Sequence, residues 1–587
     1  MDYSSAVVGN CILRKIFLYI VILGMSFVAC ACAFDGADKV FDDLLPDLLS
    51  KTSTTEDDLQ LYRRIFSFIH SGKMQEADKS IAKLKNNSLR GHFLAEKYLR
   101  QKNQTTYKEL QQWLSKYSDL PQKDAIKALS ITKAPGYKPS KPKQEVKKIY
   151  ASYDWYKDDY AKLKPEDRKF VRQKIGEFLR AIRRTDNTEA TKIMQDEKFR
   201  KTIPDKRYDG MSATLASSYF YDGDYDSALK WTTKAIKRSN EPTAAWFGGL
   251  AAWKLGDYEK AAELFEKVKD NDQWLMAAAS FWAYRAYTKL DKKHKAKRCL
   301  HRAANYKRTF YGILAKSQLG EKIEYDWSKK SYLVNIKKDK DWQELLKSKV
   351  AQRVLLLIKI GETDLAERDL RKNYSTLNAK QKELAMFLSE HYNFANLSFV
   401  LADSLENIGK KREYNAFMYP YPNWEPQKGW KVNPSWVFAL IRQESLFMDR
   451  VKSPAGACGL MQLMPTTAAI VAKNKEYAKG CNELFDKSLN LQIGQDYVKM
   501  LLDDKNVGDN MFFLAASYNA GPHSVKKWFN RKNFDDDPLM FAEMIPWRET
   551  RLYVKKVAAN YWIYNSRRNK NSKSLKQLSK GKWPSLD

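Results

Sequence analysis

Asn433-Pro-Ser-Trp-Val-Phe-Ala-Leu-Ile-Arg-Gln-Glu444-Ser-Leu-Phe-Met448 is the stretch on which the reading of the chain turns. It reads as a helix. Asn433 is a good N-cap, since its side-chain oxygen accepts from a free backbone N–H of the first turn. Pro434 follows at the first helical position, where its missing N–H costs nothing. Val437, Leu440 and Ile441 recur at i, i+3, i+4, a core-facing stripe that Met448 continues. Position 444 lies in line with that stripe, and it is Glu. Removal from water raises a carboxyl pKa, and a carboxylic acid protonated near neutral pH is what a general acid needs to be. The alternative is a Glu at the stripe's edge, bent out to water.

Downstream, Lys452-Ser453-Pro-Ala-Gly-Ala-Cys-Gly459-Leu-Met-Gln462-Leu-Met464-Pro465 opens as a loop, because Pro454 to Gly459 holds two glycines and a proline. Pro465 starts another helix. Gln462 is a lone polar group among methionines and leucines and needs a partner. A sugar hydroxyl or N-acetyl group is one candidate, a neighbouring backbone group the other. Asp509 is expected to cap a helix over 510–520 that Gly521-Pro522 stops, leaving Tyr518 and Asn519 on its last turn. Glu543-Met-Ile-Pro-Trp-Arg-Glu549-Thr-Arg551-Leu-Tyr553 then enters a helix running through Tyr561-Trp-Ile-Tyr564.

Upstream, from about 38 to 415, the pattern is helical. One unit recurs: Gly72-Lys-Met-Gln-Glu-Ala77, Gly223-Asp-Tyr-Asp-Ser-Ala228, Gly256-Asp-Tyr-Glu-Lys-Ala261 and Gly361-Glu-Thr-Asp-Leu-Ala366. Gly turns the chain after one helix, and small Ala lets the next helix approach. The second and third copies stand 33 residues apart, the period of tetratricopeptide-type helix pairs. Residues 211–268 therefore read as two adjacent pairs, with a weaker third around Ala296. The whole front half reads as an irregular α-superhelix. The charge-rich stretch Lys138 to Lys148 reads as a loop. Tyr419-Pro-Tyr-Pro-Asn-Trp424 is a break, since two prolines within three residues end a helix.

The chain has 587 residues and a formal charge of +33. It is too long for one core and basic enough to be drawn to polyanions or anionic surfaces. No nucleic-acid-binding motif appears, so no specific nucleic-acid partner is expected. Arg14-Lys15 precede an 18-residue uncharged run, Ile16 to Ala33, ending Ala31-Cys32-Ala33. That is the layout of a secretory signal peptide; an uncleaved anchor or a lipid-modified Cys30 are the alternatives. All place the protein outside the cytoplasm, with no membrane span once the leader is cleaved. Cys11, Cys30 and Cys32 lie in the leader. Cys458 and Cys481 are near enough in sequence for a bridge, and buried free thiols are the alternative. No His/Cys/carboxylate cluster has metal-ligand spacing, and no phosphate loop follows a strand, so no metal or cofactor is expected.

Four segments together, Glu444-Ser445, Gly459-Leu-Met-Gln462, Ser517-Tyr-Asn-Ala-Gly521 and Ile545-Pro-x-x-Glu549-Thr-Arg551, resemble the motif set of the soluble lytic murein transglycosylases. These are goose-lysozyme-like enzymes that cut peptidoglycan. Cys458 stands where a small residue such as Ser is usual, and Ser517 where Ala is usual. The resemblance implies a mainly α fold: an N-terminal α-superhelix with tetratricopeptide-like helix pairs, then a lysozyme-like, mostly helical catalytic domain. The division expected is 1–33 signal peptide, 34–370 superhelix, 371–418 helical linker domain and 419–587 catalytic domain with a basic tail. It implies Glu444 as the single catalytic acid/base, with Ser453, Gln462, Tyr518, Asn519 and Glu549 as the polar substrate-binding set and Met464 lining the groove. Peptidoglycan glycan strands are the expected partner, the periplasm the expected location, and the superhelix a surface for envelope proteins. A hydrolase on the same fold would need a second carboxylate, with Asp449 or Glu543 as candidates. Asp449 lies roughly 140° around the helix from Glu444, while Glu543 and Glu549 are far off in sequence. A non-catalytic envelope scaffold is the third reading.

Overall fold

The structure, a computed structural model, describes residues 54–137, 162–239, 241–270, 272–328, 340–407 and 413–587. The leader at 1–33 and the loop expected at Lys138 to Lys148 lie outside them. The described residues are mainly α-helical, and β pairing among them is confined to isolated bridges such as Lys452 with Cys458. They fall into two compact units. One holds the parts of Met1–Lys143 and Asp326–Asn423 that are described, the other those of Gln144–Tyr325 and Trp424–Asp587. This grouping in space cuts across the division along the chain: part of the front half folds with the C-terminal region.

In the first unit, one helix pair packs around a buried polar group. Arg353 Nε and Nη2 donate to the two Asp369 oxygens at 2.8 and 3.1 Å, and His92 Nε2 lies 3.2 Å from Asp369 Oδ2. A buried carboxylate is tolerable there because these two and Asn373, whose Nδ2 donates to Oδ1 at 3.0 Å, replace its water.

The second unit contains the helix pairs the repeat predicts. They are α1 (Asp205–Asp222) with α2 (Tyr225–Ser239), α3 (Pro242–Lys254) with α4 (Tyr258–Lys267), and α5 (Gln273–Lys289) with α6 (Lys293–Ala304). Gly72, Gly223, Gly256 and Gly361 all have positive φ, and the four paired alanines are fully buried. At each turn the chain makes the 6→1 bond of a left-handed helix stop, as Asp224 N to Tyr219 O and Asp257 N to Ala252 O. The third pair keeps the same bond, Lys292 N to Tyr287 O, with Asp291 at φ 53° in the glycine's place. That substitution is why its sequence signal is weak. Asp is among the few residues that visit this region at modest cost.

Helix α7 (Phe310–Gln318) closes the series and meets the C-terminal region. There lie α8 (Pro434–Glu444), α9 (Pro465–Val471), α10 (Lys487–Leu502), α11 (Met511–Ala520), α12 (Pro538–Met544) and α13 (Arg548–Arg567). Phe310 stacks on Trp562 of α13 with ring centroids 5.2 Å apart. Arg285 of α5 pairs with Asp537 at 2.6 Å, and Lys254 of α3 with Asp535 at 2.5 Å. Helix α11 is capped by Asn510, whose Oδ1 accepts from the N–H groups of Phe512 and Phe513, and not by Asp509. The Asp509 carbonyl instead accepts from Leu586 N.

Candidate active site

Helix α8 begins as expected: Asn433 Oδ1 accepts from Ser435 N at 3.0 Å, with Pro434 in the first turn. It is more central than a stripe implies. Trp436, Phe438 and Ala439 are buried along with Val437, Leu440 and Ile441. Helix α13 packs on it, and its last turn, Arg442 to Glu444, keeps some exposure. The helix stops at Glu444, and Leu446 and Phe447 take positive φ, 48° and 66°. Met448 therefore leaves the stripe and is 37% exposed; Phe447 turns in instead and is buried. Two adjacent non-glycine residues in this region cost on the order of 1 kcal/mol or more each, and they end the helix with its last side chain in the site.

That side chain is Glu444. Burial pushes its carboxyl up to about 7; a hydrogen bond from Tyr553 opposes the rise, and the charge of Glu549 adds to it. Tyr553 Oη donates to Glu444 Oε1 at 2.5 Å. Tyr518 is half-buried, and desolvation followed by the Glu444 charge holds its phenol well above the usual range. Its hydroxyl donates to Met461 O at 2.8 Å, and its ring packs on Tyr497 at 5.3 Å between centroids.

The loop after α8 is held by its own polar groups. Ser453 Oγ accepts from Ala457 N at 2.9 Å. Gln462, at φ 47°, donates through Nε2 to Gly459 O at 2.8 Å and Val451 O at 3.3 Å. Its partner is therefore neighbouring backbone. Buried Asn490 of α10 clamps the loop from below: Nδ2 donates to Cys458 O and Leu484 O, and Oδ1 accepts from Met461 N. Gly459 has φ 75°, and a Cβ there would meet Asn490 Nδ2 and Leu484 O at 2.4 Å, so the clamp requires glycine. Cys458 and Cys481 are bridged, with Cα atoms 5.6 Å apart.

Helix α13 has two working faces, set by i, i+4 spacing. Glu549 and Tyr553 serve the Glu444 side. Next to them Thr550 Oγ1 donates to Asn519 Oδ1 at 2.6 Å, which fixes the end of α11. Arg551 and Lys555 serve the other side. Arg551 Nη1 donates to Ile545 O, and its guanidinium lies over Tyr221, 4.6 Å from the ring centre. Lys555 Nζ donates to both Glu543 oxygens at 2.7 Å, and Tyr311 Oη to Glu543 Oε1 at 2.6 Å.

Glu444, Tyr518 and Glu549 are thus brought into one electrostatic neighbourhood, with Asn519 at its edge. Met464 is 39% exposed. The two carboxylates considered for positioning water are occupied elsewhere: Glu543 in its buried ion pair and Asp449 with Lys487 at 3.5 Å. Glu549, distant in sequence, is the carboxylate that reaches Glu444. The motifs of the sequence assign no role to Tyr553 or Asn490. For Tyr553 a signal existed, since it stands one helical turn beyond Glu549. For Asn490 the signal was only an amide between Leu489 and Leu491. Among the described residues no group of three or more His, Cys, Asp or Glu is placed to hold a metal, and no helix is long and apolar enough to cross a membrane.

Residues 423–541 match the family model described as the transglycosylase SLT domain, and residues 249–273 that of a tetratricopeptide repeat. The soluble lytic murein transglycosylase of Salmonella typhimurium is 30% identical over 348 residues, covering 57% of this chain and 50% of the relative. That of Escherichia coli K12 is 28% identical over 345 residues, with the same coverage. The chain spans about half the length of the curated relatives it matches. Among solved structures, the 70-kDa soluble lytic transglycosylase of Escherichia coli superposes with a TM-score of 0.63 at 17% identity, over 91% of this chain and all of that one. Its complex with bulgecin A gives the same values. The match is one of mainly α architecture, superhelix and lysozyme-like domain together. The chain thus carries a match to the transglycosylase SLT domain at 423–541 and is similar to soluble lytic murein transglycosylases over about half of their length.

Proposed function

We propose that this protein is a lytic transglycosylase that cleaves the β-1,4 bond between N-acetylmuramic acid and N-acetylglucosamine in peptidoglycan, acting in the periplasm after removal of residues 1–33. The observation that carries the reading is Glu444, a half-buried carboxyl raised to about 7 and oriented by Tyr553. Such a group holds a proton at neutral pH and can give it up. It protonates the glycosidic oxygen as the bond to C1 breaks. The anionic Glu444 then takes the proton of the muramic 6-hydroxyl as that oxygen attacks C1, closing a 1,6-anhydro ring. An internal nucleophile already held beside C1 outcompetes water.

Around it, Tyr518, Asn519 and Glu549 form the polar substrate set, and exposed Met464 lines the groove. Ser453 and Gln462 spend part of their hydrogen-bonding capacity on the loop. What they keep for a ligand is the Ser453 hydroxyl proton and the Gln462 amide oxygen. The helix pairs offer envelope proteins a surface.

Glu549 supports a second reading, hydrolysis, because it is a carboxylate within electrostatic reach of Glu444. Digestion of purified sacculi by the wild type and by Glu444→Gln, followed by mass spectrometry, decides. Transglycosylation predicts 1,6-anhydro products, lost in the variant. Products one water heavier would establish hydrolysis, and normal turnover by the variant would remove Glu444 from the chemistry.

A further inference from the structure

Behind α13, on the face away from Glu444, lies a cavity of about 280 Å³ walled by α3, α5, α7 and α13. Its floor is the neutralised pair Glu543 and Lys555 with Tyr311. Its bed is aromatic, from Trp246, Phe247 and Trp274. The remaining charges differ from the floor in being uncommitted. Arg548, exposed in the first turn of α13, forms no ion pair among the described residues. Across the cavity, the carboxylates of Asp270 and Asp272 accept, among the described residues, only from Asp272 N and Trp274 N. Arg551 beside them is already spent on Ile545 O.

A small cavity with a free cation on one wall, free carboxylates on another and aromatic faces between is complementary to a compact zwitterion. A neutral saccharide would use the indole faces but not the charges. We propose that this cavity binds a short zwitterionic peptide of dipeptide size, its carboxylate at Arg548 and its ammonium at Asp270 and Asp272. About ten to fifteen non-hydrogen atoms fit a space at the small end of ligand pockets. A charge-assisted hydrogen bond at each end fixes the direction of the chain.

Isothermal titration of the full chain with alanyl-alanine, in all-L and all-D forms, tests this. Saturable binding is expected for at least one form, with the preferred enantiomer naming the chirality read. Arg548→Ala and Asp270→Asn, both on exposed side chains, are each expected to weaken it tenfold or more. Glu444→Gln is expected to leave it unchanged. The experiment contains no glycan, so it succeeds or fails independently of the chemistry assigned to Glu444. The proposal is overturned by equal binding of N-acetyl-alanyl-alanine amide, by no heat at millimolar peptide, or by unaltered affinity in both cavity variants. Displacement of the peptide by N,N′-diacetylchitobiose with no effect of either charge variant would assign the cavity to sugar instead.

Discussion

Glu444 is held between opposing influences, and each can be removed separately. Tyr553→Phe takes away the hydrogen bond that opposes the effect of burial, so the carboxyl rises further. The alkaline limb of the kcat/KM profile should then move up by about one pH unit, the scale of one hydrogen bond to a charged group. Glu549→Gln removes a repelling charge and should move the same limb down. That shift should be only a few tenths of a unit, because Glu549 is exposed and screened. Limbs moving in the same direction would contradict this. The Glu444 carboxyl also costs stability. The folded protein binds this proton more tightly than the unfolded chain, so its contribution is fully present below the unfolded value near 4.3. It is lost as pH rises through about 7. Glu444→Gln should therefore be more stable than the wild type at pH 8, by on the order of 3 kcal/mol, and equal to it at pH 4. Thermal melts at both pH values measure it. Glu444 was legible in the sequence because it broke an apolar pattern. Tyr553, its partner, stands 109 residues away, and its one mark in the sequence is its place a helical turn beyond Glu549.

The loop between α8 and α9 is an element without regular structure that is nonetheless fixed from three directions. Backbone bonds close it, Asn490 clamps it, and the Cys458–Cys481 bridge ties it to the following segment across 23 residues. Cys481→Ala should cost about 3 kcal/mol, from the loop-closure entropy of a ring that size. Chemical denaturation, with and without reductant, should show the wild type falling to the variant's midpoint on reduction. Caps and turns were legible here because they rest on one or two residues: Asn433 with Pro434, and the repeat glycines. Long-range clamps were not. The cap of α11 illustrates the limit. Asp509 and Asn510 are both good caps, and what favours the second is the backbone pairing of this segment with the C-terminus, Met511 N to Pro584 O and Leu586 N to Asp509 O.

At the scale of the molecule, the ion pair of Glu543 and Lys555 sits where the helix pairs meet the C-terminal region. Burial lowers the pKa of the lysine ammonium, and the adjacent Glu543 carboxylate opposes that fall. Lys555→Met leaves a buried carboxylate unpaired and should cost about 3 to 5 kcal/mol, whereas Glu543→Gln with Lys555→Met should recover much of it. A double-mutant cycle by denaturant melts measures the coupling. The net charge of +33 predicts that binding to isolated sacculi weakens as salt is raised, since exposed charges are screened beyond a Debye length of about 8 Å at physiological ionic strength. Sedimentation at graded salt reads this directly. The motifs placed the C-terminal chemistry in sequence, but the front half showed only repeats, and repeats do not say which region they pack against.

The stacking of Phe310 on Trp562 bears on modularity. Read along the chain, residue 419 looks like a place to cut. In space the cut would strip Trp562 and Phe512 of a ring they both pack against. It would also leave Asp535, Asp537 and Glu543 without Lys254, Arg285 and Tyr311. Recombination that transplants the C-terminal region onto another scaffold would thus have to bring α3, α5 and α7 with it, or redesign their footprint. The compact unit that holds Glu444 is discontinuous along the chain, so no single cut separates it from the rest.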